Sequence, residues 1–429
     1  MSQSEEFPKF FREETVLETV ELTEVNGLEG INALGEGPSF TANWFDDDNN
    51  VVANKTASYK TVFQLGNGDL IGDIRETIKF VDGPLKGDEI STEGFLIANL
   101  AGAGGIISYP VVSGTGTFED IRVVENITGG TPFIFDITLQ KLEEVDGTRF
   151  NDNINGKKAS EFIAGNNGDD IIDGDRGNDI IEGGRGGDII LGGAGDDTLA
   201  ADRIDRFQDS DGSNSILKGD NGNDIIDGGS KDDLIGGGNN NDLLFGNSGE
   251  DIISGGNGFD LLQGGVGNDI LRGQGDIDVA DYSDLTFDGV SDAVAGVEVN
   301  LNTDRTRHSS DDNALTWIDT LISIENVSGT SRNDRFIGDS GDNVFYGLSE
   351  VGRDDHQTEF IGLDGESYQV TGDVVEYDGH QSDFEFGESQ QPYVGGLTVT
   401  GDGIGTDILL GIEFIKFNDG LVATNSINH

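Results

Sequence analysis

From Gly165 to Ala200 the chain reads GNNGDDIID, GDRGNDIIE, GGRGGDIIL, GGAGDDTLA, and from Gly219 to Arg272 it reads GDNGNDIID, GGSKDDLIG, GGNNNDLLF, GNSGEDIIS, GGNGFDLLQ, GGVGNDILR. One template covers every copy: G-G-x-G-x-D-x-U-x, where U is a large aliphatic residue. The frame runs without slippage from Gly156 to Asp281, although its first nine residues, GKKASEFIA, keep little more than the aliphatic Ile163. A fixed short period of this kind marks a repeat architecture and decides the fold class before any single residue is considered.

Each part of the template has a physical job. The first six residues form a tight turn, where glycine reaches φ > 0 and lets neighbouring backbones approach. The last three form a short strand, and its middle residue (Ile172, Ile181, Ile190, Leu199 and their successors) points inward because side chains alternate along a strand. The sixth place holds Asp170, Asp179, Asp188, Asp197, Asp224, Asp233, Asp242, Asp251, Asp260, Asp269 and Asp278. Carboxylates at a fixed spacing, beside turn carbonyls, are the hard oxygen donors that calcium takes six to eight at a time. Without cations, stacked aspartates would repel one another. Lys231 and Asn240 depart from the template by replacing the third glycine of their repeats. Asn tolerates the left-handed conformation and Lys does so poorly, so the turn at Lys231 is expected to be the weakest.

These repeats resemble the calcium-binding repeats of RTX proteins, a secreted family that includes haemolysins, serralysin-type proteases and alginate epimerases. The resemblance implies that two repeats make one coil of a right-handed parallel β-roll, with Ca2+ between turns two repeats apart on the same side. It would pair Asp170 with Asp188, Asp179 with Asp197, Asp224 with Asp242, Asp233 with Asp251, Asp242 with Asp260, Asp251 with Asp269 and Asp260 with Asp278. The interval ADRIDRFQDSDGSNSILK at 201–218 is two repeats long, has Arg206 and Ser215 at the sixth places, and keeps Leu217 at the inward one. At least its second half is therefore expected to stay in the roll, keeping the core continuous while interrupting the line of aspartates. Arg206 is expected to stand in for a cation beside Asp188 or Asp224.

Composition agrees. Gly contributes 67 of 429 residues, and 82 acidic residues against 25 basic ones give a net charge of -57. Nucleic acid and anionic membrane surfaces would repel such a chain. The absence of cysteine excludes disulfides and thiolate metal sites. The first residues, MSQSEEFPKFFREETVLETV, lack the basic start and apolar run of a secretory signal peptide. No run of 18 apolar residues suggests a transmembrane helix or membrane insertion.

Beyond the roll, expected over 156–281, GTSRNDRFI and GDSGDNVFY return to the nonapeptide pattern with Asp334 and Asn343 at the sixth place. They predict a roll-extending β module over 282–347. The GDSG at Gly338–Gly341 lies in repeat frame, which argues against a protease serine. The segment 348–429 is expected to be a cap, which solenoids require. Its GIEFIKFNDG at Gly411–Gly420 resembles the end of type I secretion substrates. That resemblance implies an export signal and the type I secretion machinery as a partner.

Residues 1–30 are acidic and weakly patterned. From 31 to 150, short strands separated by Gly, Asn and Asp turns suggest an antiparallel barrel or sandwich. The turn SGTGTFED at Ser113–Asp120 resembles that of the dirigent and allene oxide cyclase barrel, with Ser113 where that pattern has glycine. Tyr59, Glu76 and Tyr109 are conceivable pocket residues, and DDDNN at 46–50 reads as a hairpin turn. The histidines (His308, His356, His380, His429) form no HExxH zinc motif. The expectation is an all-β chain: an N-terminal antiparallel β-barrel, a calcium-loaded parallel β-roll and a C-terminal β module. The expected function is that of a secreted, non-enzymatic calcium-binding protein outside the cell or on its surface. The competing reading is an enzyme or hydrophobic small-molecule binder acting through the barrel.

Overall fold

The computed structural model describes nine strands between residues 9 and 141, and then residues 142–201, 214–283, 294–310, 317–330, 332–347, 358–389 and 396–427. The chain divides into two compact units between Glu144 and Val145.

In the first unit the strands are β1 (Lys9–Val16), β2 (Gly35–Glu36), β3 (Phe40–Phe45), β4 (Val51–Gln64), β5 (Leu70–Phe80), β6 (Glu89–Ala98), β7 (Ile107–Gly114), β8 (Val123–Thr128) and β9 (Ile134–Lys141). All pairings are antiparallel. The order β4-β3-β1-β9-β8-β7-β6-β5 closes on itself because β5 also pairs with β4, while β2 adds to β4. Closure gives each strand of the ring two partners and removes the sheet edges that invite association. The strand Lys9–Val16 lies in the acidic segment that sequence separated from the barrel, yet it bridges β3 and β9 and completes the ring. Tyr59 and Glu76 fall on the paired strands β4 and β5, and Tyr109 on β7. Their side chains lie outside the described residues, as do DDDNN and all of SGTGTFED but Ser113 and Gly114.

The second unit contains the roll. Parallel strands of three to seven residues alternate between two sheets, one of 13 strands and one of 14 among the described residues. Ile172 registers with Ile190 in one sheet, and Ile181 with Leu199 in the other. The inward residues from Ile163 to Ala280 line one core, and each is at most 1% exposed.

Of the interval at 201–218, residues 201 and 214–218 are described. Ile216–Asn221 pairs with Ile189–Ala194, so Leu217 stacks on Ile190 as expected. In the other sheet Leu199 pairs directly with Ile226, with no strand between. The step from one rung to the next lengthens from 18 to 27 residues on both sides. One nonapeptide therefore adds no rung, and the repeats return in frame but with the two sheets exchanged. The second half of the interval therefore stays in the roll, as expected, and no strand separates Leu199 from Ile226. Arg206 lies outside the described residues.

Both sheets continue past the repeats. Leu271 registers with Leu321, while Ala280, Val327, Phe345 and Leu409 follow one another in the other sheet. Val299, Phe336, Val375 and Ile415 form the matching series, joined to Ile318–Ile322 through the antiparallel strand Arg305–Ser310. The GIEFIKFNDG motif supplies Phe414–Phe417, with Ile415 and Phe417 fully buried. Antiparallel partners, Gly420–Ala423 on one sheet and Leu397–Gly401 with Phe384–Glu388 on the other, end the parallel stacking.

Candidate metal centre

The tight turn of each repeat requires a left-handed residue at its second and fourth places. At the fourth place of one turn, Gly195 has φ 145, and a β-carbon there would collide with the Gly177 carbonyl of the same-side turn before it. The first glycine has a different reason. A β-carbon on Gly174 would lie 2.6 Å from Asp179 Oδ2 and 2.5 Å from the Gly192 carbonyl oxygen. The aspartate thus folds back over the first glycine of its own repeat.

All eleven aspartates at the sixth place are at most 3% exposed, and they form two ladders. On one side Asp170 N–H donates to Asp188 Oδ1 at 2.8 Å, Asp233 N–H to Asp251 Oδ1 at 2.7 Å and Asp251 N–H to Asp269 Oδ1 at 2.8 Å. On the other, Asp179 N–H donates to Asp197 Oδ1 at 2.7 Å, and the series continues through Asp224, Asp242, Asp260 and Asp278 at 2.8–2.9 Å. The pairs two repeats apart are therefore neighbours. Asp197 and Asp224 are also neighbours, so the interval leaves this ladder unbroken. Only the first ladder changes: Ser215 stands between Asp188 and Asp233, accepting from Asp188 N–H at 3.2 Å and donating its own N–H to Asp233 Oδ1 at 2.7 Å.

Oδ1 is thus spoken for, and Oδ2 is the informative atom. In Asp170, Asp179, Asp197, Asp224, Asp242, Asp251, Asp260, Asp269 and Asp278 it is buried and hydrogen-bonded to no protein group. A buried carboxylate oxygen without a partner costs several kcal/mol, ~3–5 by analogy with broken ion pairs. Burial, reinforced by neighbouring carboxylates, pushes Asp179, Asp224, Asp269 and Asp278 up to about 8. It pushes Asp242 up to about 9, and Asp197, Asp251 and Asp260 up to about 7. Positive charge beside such groups favours their ionised form at neutral pH. Among the described residues no three or more His, Cys, Asp or Glu side chains converge as a metal-holding group. An ion between two turns would therefore complete its shell with main-chain carbonyls, an all-oxygen donor set that suits Ca2+.

Two ladder positions escaped sequence reading. Asp152 N–H donates to Asp170 Oδ1 at 2.7 Å and Glu161 N–H to Asp179 Oδ1 at 2.8 Å. Asp152 is the sixth residue of GTRFNDNIN at 147–155, which has the leading glycine and the inward Ile154 but neither of the later glycines. Glu161 takes the sixth place of GKKASEFIA, with Lys157 N–H donating to its Oε2 at 2.6 Å and Lys157 Nζ 3.5 Å from Oε1.

Lys231 occupies the fourth place of its turn at φ 91, and its N–H reaches the Ser248 carbonyl at 2.7 Å, so the turn keeps its shape despite the lysine. Replacing it should relieve left-handed strain of about 1 kcal/mol. Lys231→Gly is expected to stabilise the loaded roll by about that amount and so to lower the calcium concentration at the folding midpoint, read by circular dichroism. A raised midpoint would count against this account of the turn.

The family model described as the RTX calcium-binding nonapeptide repeat matches residues 146–181, 164–199, 199–229, 209–244, 218–253 and 245–280, which together leave no gap, and again 324–349. No curated protein matches the chain. Solved structures similar to about a third of the chain include a pterocarpan synthase dirigent protein, at 16% identity and TM-score 0.24, covering 32% of this chain and 88% of that one. Another is the Diels-Alderase AbmU of Streptomyces koyangensis, at 14% identity and TM-score 0.24, covering 32% of this chain and 64% of that one. The repeat match rests on the same residues that build the two carboxylate ladders. Residues 146–280 are RTX calcium-binding nonapeptide repeats, Ca2+ is the ion that such repeats bind, and 324–349 match the same family model.

Proposed function

We propose that this is a secreted protein whose sixth-position aspartates, Asp170 to Asp278, hold Ca2+ between turns two repeats apart, and that it acts outside the cell as a non-enzymatic component. The observation that carries this reading is the buried Oδ2 atom that one ladder aspartate after another leaves without a protein partner. Asp242→Asn tests it. The amide oxygen can still accept the Asp224 N–H, so the turn survives while the charge is lost. Calcium titration of the full chain by calorimetry should show fewer ions bound at saturation and a midpoint raised about tenfold, equivalent to ~1.4 kcal/mol. An unchanged stoichiometry and midpoint would remove Asp242 from the ligand set.

Secretion and the type I machinery belong to the same proposal. They are supported by the repeats and by the GIEFIKFNDG pattern at Gly411–Gly420. No helix among the described residues is long and apolar enough to cross a membrane. In a host carrying a type I exporter, deletion of 370–429 is expected to keep the protein in the cytoplasm. Because that deletion also removes roll strands, the converse is needed: 370–429 fused to a reporter should carry it to the medium. A reporter that stays inside, or a truncated chain that still leaves, rejects the export role.

A further inference from the structure

The ladders do not stop at Asp278. Asp269 N–H donates to Asp319 Oδ1 at 3.0 Å, and Asn343 N–H donates to Asp407 Oδ1 at 3.0 Å, repeating the rung geometry of the roll. What changes is the second oxygen. Asp319 is fully buried, and its Oδ2 receives His308 Nε2 at 2.7 Å and the Tyr282 hydroxyl at 3.2 Å. Asp334 Oδ2 receives the Thr330 N–H at 2.7 Å, and its Oδ1 receives the Thr330 hydroxyl at 2.9 Å. Asp407 Oδ2 receives the Tyr377 hydroxyl at 2.9 Å.

At the next sixth place the carboxylate itself is gone. Asn343 Nδ2 donates to the Glu325 carbonyl at 2.9 Å, so an amide donor reaches the main-chain oxygen. The core changes in step. The single Ile or Leu per repeat gives way to Phe336 stacked on Phe345 at 5.4 Å, and to Phe384 at 5.2 Å from Tyr377 and 5.3 Å from Phe417. Each buried aromatic removes roughly 150–250 Å² from water.

We infer that the carboxylate ladders run past their cations: beyond Asp278 the rungs at Asp319, Asp334, Asn343 and Asp407 are closed by the chain's own donors (Tyr282, His308, Thr330, Asn343, Tyr377), and the described residues of 294–427 keep their fold when calcium is withdrawn. The contrast rests on the proposed calcium reading of Asp170 to Asp278, but the two statements fail separately.

Hydrogen–deuterium exchange of the full chain, with calcium and with chelator, decides. The strands Ile318–Ile322, Val344–Tyr346, Val374–Glu376 and Phe414–Phe417 are expected to exchange at similar rates in both. The repeats from Gly165 to Asp281 should exchange at least about tenfold faster in chelator, as a locally opened segment does. If the C-terminal strands lose protection together with the repeats, the inference is overturned. If instead the repeats stay protected in chelator, the calcium reading of the roll fails, and the C-terminal strands still decide this one. A second arm uses Tyr377→Phe, which removes only the hydroxyl above Asp407. In chelator it should speed exchange in Gly405–Leu410 about tenfold. No change there would show that this donor does not close the rung.

Discussion

Millimolar calcium added to the chelated full chain should convert the repeats from coil to strand in a cooperative step, read by far-UV circular dichroism. The magnitude follows from the ladders. Each repeat contributes one inward aliphatic residue and one buried carboxylate, so a coil of two repeats sets little apolar area against two charges that burial disfavours. In Asp179, Asp197, Asp224, Asp242, Asp251, Asp260, Asp269 and Asp278 the carboxylate also has an oxygen with no protein partner. None of that cost is met by side chains, so the binding free energy of the ions becomes folding free energy. The transition should be steep in calcium, because consecutive turns share neighbours along the ladder. Magnesium at the same concentration should be a poor substitute, since it demands near-octahedral geometry and gives up water reluctantly. A strand spectrum already complete in chelator would overturn calcium-coupled folding.

Much of the roll was legible because its determinants are local. Glycine at fixed places, an aspartate at the sixth and an aliphatic residue at the eighth specify turn, ligand and core within nine residues, and the register of the strands follows. The parts that were not legible depend on distant chain. The Asp269 rung is closed by Asp319, 50 residues on, and the Asn343 rung by Asp407, 64 residues on. No period announces either one, because the intervening chain returns to the sheets through segments of other lengths. The interval at 201–218 was only half legible for a related reason. Its length preserves the nonapeptide frame, but frame does not determine which sheet a strand joins; only the pairings Ile190 with Leu217 and Leu199 with Ile226 reveal the exchange. Asp152 was hidden by the loss of two glycines from its repeat. The barrel strand Lys9–Val16, KFFREETV, was hidden by its charge, since a strand with four charged residues among eight resembles a solvated segment.

With calcium removed, acid should fold the roll. Burial raises the carboxyls of Asp179, Asp224, Asp269 and Asp278 to about 8, of Asp242 to about 9, and of Asp197, Asp251 and Asp260 to about 7. In the unfolded chain the same groups titrate near ~3.9. Between those limits the folded, metal-free roll binds more protons than the unfolded chain, so its stability falls as pH rises. The contribution is fully present below about pH 4 and is lost as pH climbs through about 7 to 9. A proton on Oδ2 then does in acid part of what Ca2+ does at neutrality: it removes the charge that burial penalises. Circular dichroism in chelator should therefore show strand content growing as pH is lowered from 8 to 5, a range that stays above the isoelectric point of about 4.1 where precipitation would intervene. Calcium binding to that protonated roll must carry the opposite dependence, because the ion needs the carboxylates ionised. Where the metal-free state is the acid-folded, protonated roll, the midpoint of calcium binding should rise as pH falls, about tenfold per pH unit for each proton that one ion displaces. Where it is coil, with carboxyls titrating near ~3.9, it should not. Acid and calcium are thus alternative routes to one strand-rich state, and each weakens the other's hold on the same oxygen atoms. If the chelated chain stays coil at pH 5 while its calcium midpoint is insensitive to pH, the ladder carboxylates are not buried in the metal-free fold as described, and the electrostatic account of the roll fails with them.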